Sequence, residues 1–422
     1  MPDQKKALNK LIIVAALGYF VDIYDLLLFG VERVESLTEI FQSKIPGVRK
    51  EALGPLVDIY GKQLLNLQML GMVFGGIFWG ILGDKKGRLS VLFGSILTYS
   101  IANIFNGMVN DTGTYGVLRF ISGFGLAGEL GAGITLVSES MSKEKRGIGT
   151  MIVATVGVFG AVVAGFMGNV ITDWRVSFYI GGGMGLVLLV LRIGVYESGM
   201  FRSLKEEHVA RGNFMDLFTS RKRFFKYLNI ILVTVPVWYV MGSLILFSPE
   251  LSKLMGLKGP NGSSLVSSGL SIMYAYAGIT VGDIASGLIS QKLRSRKKAL
   301  LIFLLLTVVG IVLYFTVAAR SVTVFYSVVV YIGFATGYWA VFISTASELF
   351  GTNIRATATT TAPNFVRGST NLISMLTALL VTLLGDKLQA TIVTGAILLG
   401  IAFVALYHLE ETFGKELNYV EE

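Results

Sequence analysis

The chain alternates between apolar runs of spanning length and short polar connections. The apolar runs sit near residues 9–31, 62–82, 89–109, 114–137, 147–171, 175–196, 227–248, 266–290, 298–318, 323–346, 359–384 and 389–408. Folded as a helix with a rise of about 1.5 Å per residue, each reaches across about 30 Å of hydrocarbon. The pattern predicts an all-α membrane protein of twelve transmembrane helices. Residues 197–226, polar and basic with Phe214, Phe218, Phe224 and Phe225 interspersed, form the longest connection on their side. They read as a linker between an N-terminal six-helix bundle, 1–196, and a C-terminal one, 227–422, lying along the membrane surface. A long first outer loop is expected from Glu35 to Gly61, with Pro46 and Pro55 in it.

The stretch Arg119 to Gly147 carries the most information. It starts as an apolar, glycine-dotted helix that holds Arg119 and Glu129 at depths where charge is costly. It leaves the membrane through Glu139 and closes on Arg146-Gly147. The same ending returns about half the chain later, as Glu348 to Arg355-Ala356. A repeat at that offset predicts two related halves with a site between them.

Composition narrows the class. A hydrophobic fraction of 53%, 15% charged residues and 50 glycines lie outside the range of soluble domains. The net charge of +9 is dispersed in short clusters between spans, which argues against nucleic acid and for interior loops. With the N-terminus in the cytoplasm, interior segments hold about 23 Lys and Arg against about 10 outside. Both termini are then cytoplasmic, in the cell (inner) membrane. The first apolar run is too long for a cleaved signal peptide and is read as a true span. There is no cysteine for a disulfide or thiolate site, no nucleotide loop, and the two histidines, His208 in the linker and His408 at the end of the last span, both fall on the expected cytoplasmic side. No enzyme and no cofactor are expected.

Gly80-Ile-Leu-Gly-Asp84-Lys-Lys-Gly87-Arg88 links the second and third spans. Small residues let helix ends approach, Gly87 permits a tight reversal, and Asp84 can pair with an arginine or cap a helix. The link resembles the signature loop of the major facilitator superfamily, and Gly287 to Arg296 is its copy in the second half, with Gln291 where the acid would stand. Arg119 with Gly123, the repeated Glu-to-Arg endings, Trp174-Arg175, Glu197-Ser198 and Glu411 to Leu417 are similar to the metabolite:proton symporter and sugar-porter branches. Ser142 and Gly351 depart from the proline often seen after the repeated glutamate, and the fifth span lacks the Gly-Pro pair of drug:proton antiporters. The resemblance implies two pseudo-symmetric six-helix bundles and a cytoplasmic gate in which Asp84 faces Arg146 and Arg88 faces Glu139, with Glu348 and Arg355 as the repeat.

The remaining candidates lie inside the spans. Asp22 and Asp25 share one face of the first helix, and Asp25 is level with Arg119. These three are candidates for proton coupling, or for a static salt bridge that fixes packing. Glu129 is a second proton site, a substrate contact or a helix-packing bond. Arg367, mid-span with no acid until Asp386, favours an anionic ligand, with Asn364 one turn before it; the alternative is an acid from another helix such as Asp283. Tyr24, Trp238, Tyr239, Tyr274, Tyr276, Tyr338 and Trp339, with Gln68, are the cavity candidates, Trp238 and Tyr338 favoured because Pro236 and Gly337 mark places where helices bend. The expected function is transport of a small organic anion, a carboxylate, together with protons by alternating access. A facilitator or proton symporter for a neutral solute such as a sugar is the alternative. A monomer working with a small solute, protons and the lipid bilayer is expected.

Overall fold

The computed structural model describes residues 2–45, 47–142, 146–192, 213–259 and 263–421, and of residues 2–10, 50, 51 and 146 it describes the backbone only. Among these residues twelve helices are long and apolar enough to cross a membrane. They are α1 (Leu11–Lys44), α2 (Gly54–Lys86), α3 (Arg88–Asn106), α4 (Thr112–Ser140), α5 (Gly147–Val170), α6 (Trp174–Leu191), α7 (Arg221–Ile245), α8 (Ser268–Leu293), α9 (Arg296–Arg320), α10 (Val322–Leu349), α11 (Arg355–Leu384) and α12 (Lys387–His408). Their starts are written in the sequence. Asp111, Asp173, Ser267, Ser295, Ser321 and Asp386 each accept a backbone N–H from the first turn of the helix that follows.

The first span is longer than expected. The sequence reading closes it near residue 31 and opens a loop at Glu35, whereas α1 runs to Lys44 and α2 begins at Gly54. Nothing between Gly30 and Lys44 breaks a helix; the break comes with Pro46 and Gly47, the latter at φ 87°. The extension is held sideways by the start of α6, where Trp174 Nε1 and Arg175 Nη1 donate to Glu39 at 2.8 and 2.7 Å. Of the expected linker, residues 197–212 lie outside the described residues, and Arg221 already belongs to α7.

The same packing appears twice. α1 lies on α5, α2 on α4 and α3 on α6; correspondingly α7 lies on α11, α8 on α10 and α9 on α12. Across the interface α2 runs along α11 and α5 along α8. In the first half, a Cβ at Gly71 or Gly75 would stand 2.1 or 2.2 Å from the carbonyl oxygen of Phe120 or Phe124. In the second half, Gly278 and Gly282 meet the carbonyls of Val330 and Phe334 at 2.2 Å each. Backbones this close leave no room for a side chain, and lipid offers no hydrophobic drive to replace the lost contact.

Substituting valine for Gly75 or Gly282 should therefore lower the melting temperature of the detergent-purified protein, for a loss of at least about 1–3 kcal/mol. Gly183→Ala, where an added Cβ meets nothing within 4 Å, should leave the melting temperature unchanged.

Candidate functional site

Three interrupted helices shape the centre. α4 loosens at Ala127 and Gly128, between Leu126 and Glu129. α7 carries Pro236 and then widens into a π-helical turn, Val240–Ile245. α10 breaks between Thr336 and Trp339. Such interruptions inside a membrane are tolerated where protein, not lipid, surrounds them. Between the two halves they leave a cavity of about 20 Å³, room for one water, lined by Tyr19 and Ile23 of α1, Trp238 and Met241 of α7, Tyr276 of α8, Trp339 of α10 and Arg367 of α11.

Arg367 is the cation of this cavity. It is 1% exposed, so its charge is out of reach of bulk water. Its guanidinium donates to Asn364 Oδ1 at 3.3 Å and to Tyr19 Oη at 3.3 Å, lies 5.5 Å from the centre of the Trp339 ring, and leaves Nε without a partner. No carboxylate lies within 4.0 Å of it among the described residues. Asp283, the acid that could have neutralised it, instead accepts the Ala340 backbone N–H at 3.0 Å. Tyr19 joins the halves here, because its hydroxyl also accepts from Trp339 Nε1 at 2.9 Å.

Asp22 and Asp25 of α1 are fully buried, and neither has a hydrogen-bond partner among the described residues. Arg367 is the cation acting most strongly on Asp22, with Glu129, Asp25 and Arg192 further contributors. Asp25 presses on Gly181 of α6, where a Cβ would stand 2.0 Å from its Oδ1, and the polar groups acting on it are Arg119 and Asn103. Arg119 itself donates to Asn103 Oδ1 at 2.8 Å and to Ser122 Oγ at 3.1 Å, between the rings of Phe29 and Phe178. Asn103 thus stands between base and acid, in place of a direct ion pair. Glu129 forms a buried ion pair with Arg192, which also donates to the Leu92 carbonyl at 3.1 Å; both charges sit beneath Gly18.

Both faces of the interface are tied. At the face where the chain ends, Asp84 of α2 caps α11, accepting from the backbone N–H groups of Ala356 at 3.2 Å and Thr357 at 2.8 Å. Glu139 holds Arg88 at 2.9 Å and, across the interface, Arg355 at 3.2 Å. Glu348 takes the corresponding pair with Arg296 at 3.0 Å. The tail closes this cluster: Thr412 Oγ1 donates to Glu348, the Leu417 carbonyl accepts from Arg355, and Glu411 caps the start of α9. Gly87 turns α2 into α3 at φ 104°, and Gly80 passes 3.0 Å, measured from an added Cβ, from Thr357 Cα. The expected contact of Asp84 with Arg146 falls on a side chain outside the described residues. At the opposite face Arg33 of α1 meets Glu250 at 2.8 Å and Asp58 at 3.8 Å, and lies over the Phe247 ring.

Of the sequence candidates, Arg367, Trp238, Tyr276 and Trp339 line the cavity and Asn364 orients Arg367 while donating to the Ala127 carbonyl at 2.8 Å. Tyr239, Tyr274 and three others do not line it. Tyr24, five residues from Tyr19 on a helix of 3.6 residues per turn, points away toward the Ser177 carbonyl of α6. Gln68 turns inward to the Leu26 carbonyl, within the N-terminal bundle. Tyr338 sits in the break of α10 and donates to the Val233 carbonyl at 3.1 Å, so its neighbour Trp339 faces the cavity. Sequence reasoning missed Tyr19 and Arg192. Tyr19 lies one turn from Asp22 on the same face, a signal that was available; Arg192, at the end of a span, reads like any loop arginine.

The profile of the Major Facilitator Superfamily matches residues 59–368, well over half of the chain. The protein belongs to this superfamily. A Haemophilus influenzae protein provisionally named a metabolite transport protein is 28% identical over 364 residues, 83% of each chain. The gentisate transporter of Corynebacterium glutamicum is 24% identical, covering 68% of this chain and 65% of its own. The benzoate transport protein of Acinetobacter baylyi is 26% identical over 43% of this chain and 37% of its own. In solved structures the fold is that of the proton:xylose symporter XylE, with a TM-score of 0.73, 17% identity and 98% of both chains covered. As a Major Facilitator Superfamily member the protein is a multi-pass membrane transporter of small molecules, and its cavity lies between its two halves.

The Arg33–Glu250 tie must open if that cavity is to reach the face opposite the chain ends. Burial opposes the Glu250 carboxylate, but Arg33 and a hydrogen bond shared with Asp58 outweigh it and hold it below its ordinary value of 4.5. A carboxylate depressed in this way keeps its contribution above the ordinary value and loses it as pH falls through the lowered one. With Met241→Cys as the sole thiol, since the chain has no cysteine, alkylation by an impermeant reagent, compared at one fixed pH near about 8 because the thiolate is the reacting species, reports how often this tie opens. Adding Glu250→Gln should accelerate it about tenfold, the factor that corresponds to losing about 1.4 kcal/mol of the tie.

Proposed function

We propose that the protein transports a small organic anion, bound through its carboxylate to Arg367, together with a proton carried by the aspartates of α1. The observation that carries this reading is the buried Arg367 guanidinium, at the interface of the two halves, with no carboxylate within ion-pair distance among the described residues. A buried cation in lipid needs a counter-charge, and a planar fork of N–H donors suits a carboxylate. Tyr19 and Asn364 are neutral partners that an incoming carboxylate can replace. Tyr19, Trp238, Tyr276 and Trp339 give flat walls suited to an aromatic acid. The names of relatives, carriers of benzoate, gentisate and niacin or nicotinamide, point the same way.

Coupling follows from charge balance. An anion on Arg367 cancels the positive charge acting on Asp22, and the loaded cavity stays near neutral when the aspartate takes up a proton. Asp25, with Arg119 behind Asn103, is the second carrier, and Glu129 is held by Arg192 as a packing pair. Tight ties at both faces describe an occluded intermediate of alternating access, with the Asp84, Arg88, Glu139 and Arg355 cluster as one gate and Arg33 with Glu250 as the other. The larger share of Lys and Arg at the face of the chain ends supports a cytoplasmic side for that face and the cell membrane as the location. One chain supplies both halves, so a monomer suffices.

In proteoliposomes of purified protein, uptake of labelled benzoate or nicotinate should accelerate under an inward proton gradient; no response sinks the coupling. Arg367→Ala should weaken binding of these acids by about 30-fold or more, the cost of losing one partner of a desolvated charge pair. Asp22→Asn and Asp25→Asn should abolish gradient-driven uptake while counterflow persists. Unchanged net uptake in both, or sugar transport that survives Arg367→Ala, would establish a neutral-solute carrier instead.

A further inference from the structure

A larger cavity lies away from the centre, on the flank of the C-terminal half. Between the first turns of α7 and the last turns of α12, a groove of about 700 Å³ opens outward. Its floor includes Leu232, Ile401 and Val404, and the last two are 40% and 61% exposed. Its rim, at the face of the chain ends, carries Lys222, Lys226 and His408, with Glu410 as an acid beside them. Neither lysine has a carboxylate within 4.0 Å among the described residues. Lys415 of the tail stands close by: burial, then repulsion from Lys226 and Lys222, holds its ammonium below the usual range although Glu410 and Glu421 oppose this. The rim therefore keeps an excess of positive charge over an apolar trough.

We infer that this groove binds a phospholipid with an anionic headgroup, its phosphate between Lys222 and Lys226 and an acyl chain along Leu232 and Ile401. The chemistry decides among occupants. A free inorganic anion has no use for an apolar trough open to the side, and a zwitterionic headgroup brings its own cation to a rim already crowded with them. An anionic lipid satisfies both parts at the level where span ends meet headgroups. The position gives it consequence. The helix that forms one wall, α7, carries Trp238 and the π-helical turn at the central cavity, so a lipid seated here braces a helix whose bend shapes that cavity.

Gly400 supplies a test independent of charge. It lines the groove, and an added Cβ there meets nothing within 4 Å, so Gly400→Phe should fill the trough without disturbing the bundle. The measurement is the melting temperature of the full chain in detergent, titrated with phosphatidylglycerol, phosphatidylethanolamine or inorganic phosphate. Phosphatidylglycerol should raise it more than phosphatidylethanolamine, and phosphate alone should leave it unchanged. Lys222→Gln with Lys226→Gln should weaken the phosphatidylglycerol effect by roughly fivefold per lysine, and Gly400→Phe should remove it. Lys253→Gln with Lys258→Gln, a charge change of equal size at the opposite face, should keep it. Equal shifts with both lipids, a shift with phosphate alone, or a phosphatidylglycerol preference that survives both groove variants would overturn the inference.

Discussion

Every charge that a membrane protein carries below the headgroups has to be compensated, and the way each is compensated here separates scaffold from working parts. Glu129 and Arg192 neutralise each other beneath Gly18 within one half. Asp84, Arg88, Glu139 and Arg355 neutralise one another across the interface, as do Arg33 and Glu250 at the other face. Pairs of the first kind hold whenever the half is folded. Pairs of the second kind hold in only some arrangements of the halves, because parting the halves on that face separates them. At the centre, Arg367, Asp22 and Asp25 form no ion pair within 4.0 Å among the described residues, so neutral neighbours take the place of a paired charge there.

The halves repeat in their scaffold and differ in their chemistry. Gly71 and Gly75 find their counterparts in Gly278 and Gly282, each pressed against a carbonyl of the neighbouring helix. The gate repeats less fully. Asp84 caps α11 through two backbone N–H groups, while Gln291 in the equivalent place stands near Gly147 at the start of α5. The two sides of the interface therefore differ in charge, since Asp84 brings a full negative charge to a helix terminus and Gln291 brings none. The acids of the central region come from α1 and α4, and the cavity's cation from α11. Asp22 and Arg367 come from opposite halves, so motion of the halves changes the distance between them.

The broken helices connect scaffold and site. The π turn in α7 contains Met241 and the gap in α10 ends at Trp339, and both residues line the cavity, with Trp238 two residues before the turn. The ring of Trp339, the hydroxyl of Tyr19 and the guanidinium of Arg367 then form one chain of contacts from α10 to α1 to α11.

The sequence by itself determined the twelve spans and the two related halves, and it singled out Arg88, Glu139, Arg355 and Arg367 for inspection, because hydrophobic length, repeat offset and a charge stranded in an apolar run are properties of the chain read in order. It also marked Pro236 and Gly337 as places where helices give way. It did not determine that α1 continues to Lys44, because Leu37, Ile40 and Phe41 at helical spacing mark an amphipathic helix but not whether it is continuous with the span before it. Tertiary structure alone decided that Trp339 and not Tyr338 faces the cavity, that Tyr24 and Gln68 turn into the N-terminal bundle, and that Arg192 answers Glu129. Those outcomes depend on helix rotation and on which distant residues meet, and a linear pattern holds neither.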